Sequence, residues 1–319
     1  MSASDRAEER LAEDVACWSR AAGCPVEPRP GILHERAALL GLPEPGRVSR
    51  NGSCRIVRAR DGWLAVNLPR PEDRAMTPAL LEEETEDAWA AIEAALPQRS
   101  VAGTLARARL LGLAVTALGE TSAPPAARAE AGDARPWMRP PRVVDLSALW
   151  AGPLCGGLLA EAGCDVLKVE SRRRPDTTAG RSPVFDALLN GGKRRWVMDG
   201  DDPGDRARLA DLIGRADVVI TSARPRSLTW LPDLLRRTCC WIAIQAHRDG
   251  DRIGFGDDCA VAGGLVAFAQ GAPHFLGDAV ADPLTGLTAA AVAFRALALR
   301  EGGRHPVELA TVAARAAHG

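Results

Sequence analysis

Residues 142–170 read RVVDLSALWAGPLCGGLLAEAGCDVLKVE, and their pattern decides the fold. An apolar run, Val143 to Leu146, leads into a tight Ala151-Gly152-Pro153 loop. A helical period then carries Leu154, Leu158 and Leu159 inward and stops at Gly163. A second apolar run, Val166 to Val169, ends on Glu170. Strand, loop, helix and strand within about 30 residues make a βαβ unit, so the two runs are expected side by side in a parallel sheet. Such sheets bind ligands beyond the carboxyl ends of their strands, where the Ala-Gly-Pro loop and Glu170 are expected. A dinucleotide fits poorly. A pyrophosphate-cradling turn needs three spaced glycines, and this one has a single glycine followed by a proline with no N–H to donate.

The rest of the chain bounds the answer. Its 319 residues suit one large or two ordinary domains. It is 46% hydrophobic and 25% charged, which places it among globular chains. A net charge of −1 gives no broad electrostatic case for nucleic acid or a membrane surface. Lys168 and Lys193 are the only lysines, and tyrosine is absent, which removes one general acid. The eight cysteines form no C-x-x-C pair, and the adjacent Cys239-Cys240 is no metal signature, so no metal is expected. The N-terminus carries Asp5, Glu8, Glu9 and Glu13 and does not read as a signal peptide. No apolar run approaches the ~20 residues of a membrane span, and a reducing cytoplasm is the expected compartment.

Outward from residues 142–170, the N-terminal stretch reads as a separate unit. Residues 5–22 form an amphipathic pattern with Leu11, Val15, Trp18 and Ala22 on one stripe. Cys54 to Leu68 reads as a hairpin turning at Asp61-Gly62, followed by two or three helices and a short strand at Leu113–Val115. Residues 120–141, rich in proline and alanine, read as a linker. The expected layout is a small α+β domain over 1–119, the linker 120–141, and a large α/β domain with a Rossmann-like parallel sheet over 142–319.

Several blocks, taken in order, resemble the family III CoA transferases, the formyl-CoA transferase and carnitine-CoA transferase group. Asn190-Gly191-Gly192-Lys193-Arg194-Arg195 and the Trp196–Asp199 run are similar to the family's N-x-G-K-R-S and the strand after it. Ala216 to Pro225 resembles its A-D-V-x-V-E-N-F-R-P block. Asp282-Pro283-Leu284-Thr285-Gly286 fits its D-x-x-x-G block, and Gly303 to Leu309 its C-terminal strand. The hairpin from Arg60 to Val66 looks like the family's small-domain motif, which ordinarily follows the large domain. Here it comes first, which leaves open a permuted order or a divergent, shortened branch.

The resemblance implies a transferase that moves CoA between carboxylic acids through an aspartyl-CoA thioester. CoA would be a substrate rather than a bound cofactor, acyl-CoA and a carboxylic acid the partners, and the assembly a homodimer. Asp282 would be the nucleophile. Read locally, Asp282 followed by Pro283 is also a helix N-cap with proline at N1, and such a position favours the anion. Asp278 is the neighbouring alternative. Asp257 and Asp258 form a second acidic position, read locally as caps of a helix from Cys259. In the α-methylacyl-CoA racemase branch an Asp near there works with a His, and His247 is the nearest, with an exposed loop as its ordinary setting. A racemase or isomerase using Asp257 is therefore one alternative. A non-catalytic homologue that binds CoA thioesters or acts as a scaffold is the other. For CoA itself, the resemblance implies a slot bounded by Trp150, Ala151, Gly152, Met198, Ser222 and Ala223, with phosphate contacts from Arg172, Lys193, Arg194 and Arg224.

Overall fold

The computed structural model describes residues 2–122, 137–224, 226 and 239–319. In order these form α1 (Ala3–Ala21), α2 (Ile32–Leu40), β1 (Cys54–Ala59), β2 (Gly62–Asn67), α3 (Pro71–Ala75), α4 (Thr77–Leu81), α5 (Ala88–Ala95), α6 (Val101–Leu111) and β3 (Ala114–Ala117). Then come β4 (Arg142–Leu146), α7 (Ala151–Glu161), β5 (Asp165–Ser171), α8 (Thr177–Arg181), α9 (Pro183–Asn190), β6 (Arg194–Met198), α10 (Pro203–Gly214) and β7 (Val218–Thr221). The last group is β8 (Cys240–Gln245), α11 (Gly256–Ala262), β9 (Val266–Ala269), β10 (Ala272–Phe275), α12 (Ala281–Leu299), β11 (Gly303–Glu308) and α13 (Leu309–His318).

Six strands form one parallel sheet in the order β11-β8-β7-β4-β5-β6. Val143 pairs with Val166 on one side and Val218 on the other, as the βαβ reading requires. Both faces are covered at the centre, which is why β4, β7 and β8 carry near-continuous apolar runs rather than alternating ones. Val143, Val166, Val218, Ile220, Ile242 and Ile244 pack against α7 and α12. Val144, Leu167, Val169, Val219 and Trp241 pack against Leu209 and Ile213 of α10. Strand order runs away from β4 in both directions, so a topological switch point lies between β4 and β7.

Three features differ from the sequence reading. First, residues 1–119 are not one unit. The antiparallel sheet β1-β2-β3 has its own core of Leu64, Val66, Leu80 and Ile92. Helices α1 and α2 instead bury Val15, Trp18, Ile32 and Leu33 in the large-domain core with Leu284 and Phe294 of α12. The apolar stripe on α1 is thus covered within the chain. The expected linker 120–141 is described only at 120–122 and 137–141, and residues 123–136 lie outside the described residues. Second, α12 is 19 residues long and apolar enough to cross a membrane by length and composition. It serves as the central core helix, with Leu284, Leu287, Ala290 and Phe294 all buried.

The Ala151-Gly152-Pro153 segment is also not a loop. It forms the first turn of α7, where the N–H that Pro153 lacks would have no helical partner. Gly152 is required there because a Cβ would lie 2.2 Å from Ser147 Oγ. The connection itself is Ser147–Trp150, and Leu149 takes the left-handed conformation at φ 70°, a strained setting for a leucine.

Beneath this connection lies Lys193. Its Nζ donates to Asp145 Oδ2 at 2.8 Å, Pro153 O at 2.7 Å and Asn190 Oδ1 at 2.8 Å, and both charged side chains are fully buried. Burial alone would raise the Asp145 pKa, but Lys193 and Lys168 outweigh it and hold the carboxyl below its ordinary value. Three acceptors around one ammonium suit lysine and not the planar guanidinium. We expect Lys193→Met to lower the unfolding free energy by about 3–5 kcal/mol by stranding the Asp145 charge. Lys193→Arg should not restore it; chemical denaturation of the two variants measures both.

Candidate functional site

A cavity of about 680 Å³ opens beyond the carboxyl ends of the parallel strands. Its walls come from both sides of the switch point: Leu146–Leu149 after β4, and Ser222–Arg224 after β7. Ala148 N donates to Ser222 Oγ at 3.0 Å and ties the two loops together. Asp176, at the start of α8, accepts from Leu149 N at 3.1 Å and from Lys168 Nζ at 3.3 Å. Lys168, fully buried, also donates to Ser147 O at 2.9 Å. The β4 connection is therefore fixed from below by one buried cation and one carboxylate.

One part of the lining is basic. Arg70, Arg174, Arg206, Arg224 and Arg252 all reach the cavity. Burial lowers the Arg224 pKa, and the charges of Arg226, Arg70 and Arg174 lower it further. Arginines close enough to repel one another across a cavity form a receptor for a multiply charged anion. Arg70, at the N-cap of α3, belongs to the small domain, so both parts of the chain contribute to the wall.

The opposite chemistry lies where α11, α12 and α2 meet. Asp282 lines the cavity and is partly exposed. It occupies the second position of α12, whose N-cap is Val280, so it lies inside the first turn instead of capping it. Gly256 at the start of α11 crosses so closely that a Cβ would stand 2.5 Å from Asp282 Oδ2, and its backbone hydrogen-bonds the carboxyl. Burial raises the Asp282 pKa to about 7; Arg36 opposes this, while Asp258 and Asp278 add to it. The helix terminus, expected to keep this group fully ionised, is overcome by burial among like charges.

Asp278 is held by Arg36 in a two-pronged ion pair of 2.7 and 2.6 Å. Arg36 also stacks 4.5 Å from the centre of the Trp150 ring. Asp257 is buried, accepts from Ala279 N at 3.0 Å, and has its pKa raised to about 8, first by burial and then by Asp278. Asp258 accepts from Asn67 Nδ2 at 2.8 Å and from Phe255 N at 2.9 Å. His247 is buried and lies with Asp258 and Cys259. The exposed-loop setting expected for it does not hold.

Of the residues singled out in the sequence, Ala151, Gly152, Met198, Ser222, Ala223, Arg224 and Asp282 meet at this cavity. Trp150 is buried in the core against Phe185 and Arg36. Lys193 is consumed by its buried ion pair. Arg194 lies at the far end of the sheet, because it begins β6 and pairs with Asp165 at the start of β5. Arg172 points to Asp199 at 3.8 Å, and its neighbour Arg174 reaches the cavity in its place. Arg36, Arg70 and Asp176 were not found in the sequence. Arg70 and Arg36 come from segments far from the βαβ unit, and only tertiary packing brings them to it. Asp176 caps α8 with an Asx pattern, and that pattern gave no hint of a second contact.

Residues 140–232 match the model of CoA-transferase family III. A formyl-CoA:oxalate CoA-transferase of Bradyrhizobium sp. (strain ORS 278) is 29% identical over 171 residues, which is 46% of this chain and 39% of the relative. A second, from Rhodopseudomonas palustris (strain TIE-1), is 31% identical over the same shares. The chain thus spans 39% of the length of these curated relatives. A solved CAIB/BAIF family protein from Brucella suis superposes with a TM-score of 0.49 at 26% identity, covering 55% of this chain and 53% of that one. The matched segment contains β4, α7, the cavity loop after β4 and the Lys193 pair. Through it, the chain is similar to CoA-transferase family III.

Proposed function

We propose that the chain transfers CoA between carboxylic acids with Asp282 as the nucleophile. One observation carries this reading. A single cavity at the sheet's switch point is lined by a carboxylate that is neither paired nor fully ionised, and by an arginine cluster suited to the phosphates of CoA. An acyl-CoA with its phosphates on Arg174, Arg224 and Arg70 would extend its thioester towards Asp282.

The steps balance as follows. Asp282 attacks the thioester carbonyl, the C–S bond breaks, and CoA leaves as a thiolate, giving an acyl-aspartyl anhydride. The thiolate attacks the aspartyl carbonyl, forms the aspartyl-CoA thioester and expels the first carboxylate. The incoming carboxylate attacks that thioester, the C–S bond breaks to release the CoA thiolate, and a new anhydride forms. CoA then takes the new acyl group and frees Asp282. The Gly256 backbone contact orients the carboxyl for the first attack. The acyl donor and acceptor classes are acyl-CoA and a carboxylic acid. A homodimer and a cytoplasmic setting complete the proposal. The first rests on the resemblance, and the second on cysteine spacings that form no disulfide framework.

The racemase reading has less support. Asp257 and His247 do not line the cavity, and Asp257 spends its carboxyl on Ala279 N. Burial drives the His247 pKa down to about 3, with Arg252 and Arg109 adding to the effect, which leaves it a poor proton carrier near neutrality.

Incubation with acetyl-CoA or another acyl-CoA followed by hydroxylamine should convert Asp282 to its hydroxamate, located by peptide mass spectrometry. Asp282→Asn should retain the fold and lose exchange by about 10⁴-fold or more. Exchange that survives Asp282→Asn and disappears in Asp257→Asn would transfer the chemistry to Asp257. A wild-type chain that binds no CoA in calorimetry would leave a non-catalytic homologue.

Since the anion is the nucleophile and burial has raised its pKa, the acylation rate should rise about tenfold per pH unit up to about 7 and flatten above it. A rate flat from pH 5 upward would show an Asp282 ionised at its ordinary pKa. Arg224→Ala should weaken CoA binding by about 10–100-fold, the cost of one charge-assisted contact. Dephospho-CoA and CoA compared on the variant show which phosphate it held.

A further inference from the structure

Behind the cavity wall, three metal-ligating side chains converge that the transfer chemistry does not use. His247 follows β8, and Asp258 and Cys259 lie in the first turn of α11. All three are buried, with relative exposures of 4%, 0% and 0%. His247 Nε2 lies 4.0 Å from Cys259 Sγ, Asp258 Oδ2 lies 3.9 Å from the same sulfur, and the three ligand atoms are all within 4.8 Å of one another. Tetrahedral zinc bound at about 2.3 Å to sulfur and about 2.0 Å to nitrogen sets its ligand atoms about 3.5 Å apart. Each edge to the sulfur is about half an ångström longer than that, a difference small χ rotations remove.

Two further observations point to a ligand. Asp258 is split between two tasks. Its Oδ1 accepts from Asn67 Nδ2 at 2.8 Å and Phe255 N at 2.9 Å, which fixes the carboxylate and directs Oδ2 toward the sulfur. This is the outer-shell bracing that metal-binding carboxylates take. A glycine also stands where any side chain would crowd two of the ligand atoms. Gly254 passes there, and a Cβ on it would stand 2.8 Å from Cys259 Sγ and 2.9 Å from Asp258 Oδ2. The charge of Arg252 acts on all three groups, and it is engaged by Glu120 and by Val115 O at 2.9 Å.

We propose that His247, Asp258 and Cys259 bind one divalent transition metal of the zinc class. The metal bonds to the Cys259 sulfur as the thiol proton leaves to solvent, to Asp258 Oδ2 as an existing anion, and to His247 Nε2 as a neutral imidazole. Two anionic ligands offset the 2+ charge, and water completes the tetrahedron. Asn67 of β2 braces Asp258, and Thr116 of β3 donates to the Asp258 carbonyl at 2.9 Å, so the metal fastens the three-stranded sheet to α11.

The test uses the full chain, stripped with a chelator and titrated with Co²⁺ and then Zn²⁺. One Co²⁺ per chain should bind with a near-ultraviolet thiolate-to-metal band that Zn²⁺ abolishes, and the melting temperature should rise with either ion. Cys259→Ser should lose the band, while Cys17→Ser, at an exposed cysteine, should keep it. Asn67→Ala should weaken Zn²⁺ binding by about 10–100-fold, since only the bracing is lost. No band in the wild-type chain at stoichiometric Co²⁺, binding at millimolar metal only, or a band that persists in Cys259→Ser would each overturn the assignment. The first two need no variant, so a misfolded Cys259→Ser does not shield the proposal.

Discussion

The ammonium of Lys193 sits between Asp145 on β4 and the first turn of α7, in a place where a charge without partners would cost several kcal/mol. Three oxygens of the protein accept its protons. That arrangement fixes the distance between strand and helix, and with it the Ser147–Trp150 connection that forms one wall of the cavity. The glycines follow from the same crowding. Gly156 has no Cβ because one would lie 2.9 Å from Lys193 Nζ, and Gly152 has none because of Ser147. The site is therefore carved from a packed interior and supported by a buried ion pair, with Lys168 and Asp176 as a second brace one strand away.

Around Asp282 the same low-dielectric setting acts in the opposite sense. Three aspartates, 257, 278 and 282, share the guanidinium of Arg36. Arg36 commits both prongs to Asp278, and the carboxyls of Asp257 and Asp282 rise toward neutral pH as a result. A cluster with more positive charge would hold them fully ionised and less basic. The N-terminal helix α2 is thus an electrostatic part of the site, although it precedes the family-matched segment by about a hundred residues.

The parallel sheet was legible because it is local. A βαβ unit writes strand, helix and strand in consecutive residues, and Val143–Leu146 and Val166–Val169 needed no distant partner to be read. Asp282 was legible through its spacing to Gly286. What the sequence pattern misplaced depended on packing between distant segments. Lys193 and Arg194 are adjacent and both basic, yet one turns inward to Asp145 and the other starts a strand at the far edge of the sheet. A pattern of residue types cannot separate them. The stripe on α1 is covered by α12, and nothing in an amphipathic period names that partner. Arg36 and Arg70 carried no local signal, since their importance arises from where α2 and α3 come to rest.

The two lysines have one more consequence. They are the only ε-amino groups in the chain, and both are buried and hydrogen-bonded. No lysine ammonium of the folded protein reaches solvent, and arginine carries most of its surface basic charge. Acylating reagents, aldehydes, carbon dioxide and amine-directed crosslinkers find no side-chain amine on its surface. The folded chain is, in this respect, chemically deaf to the stray acylation that exposed lysines suffer.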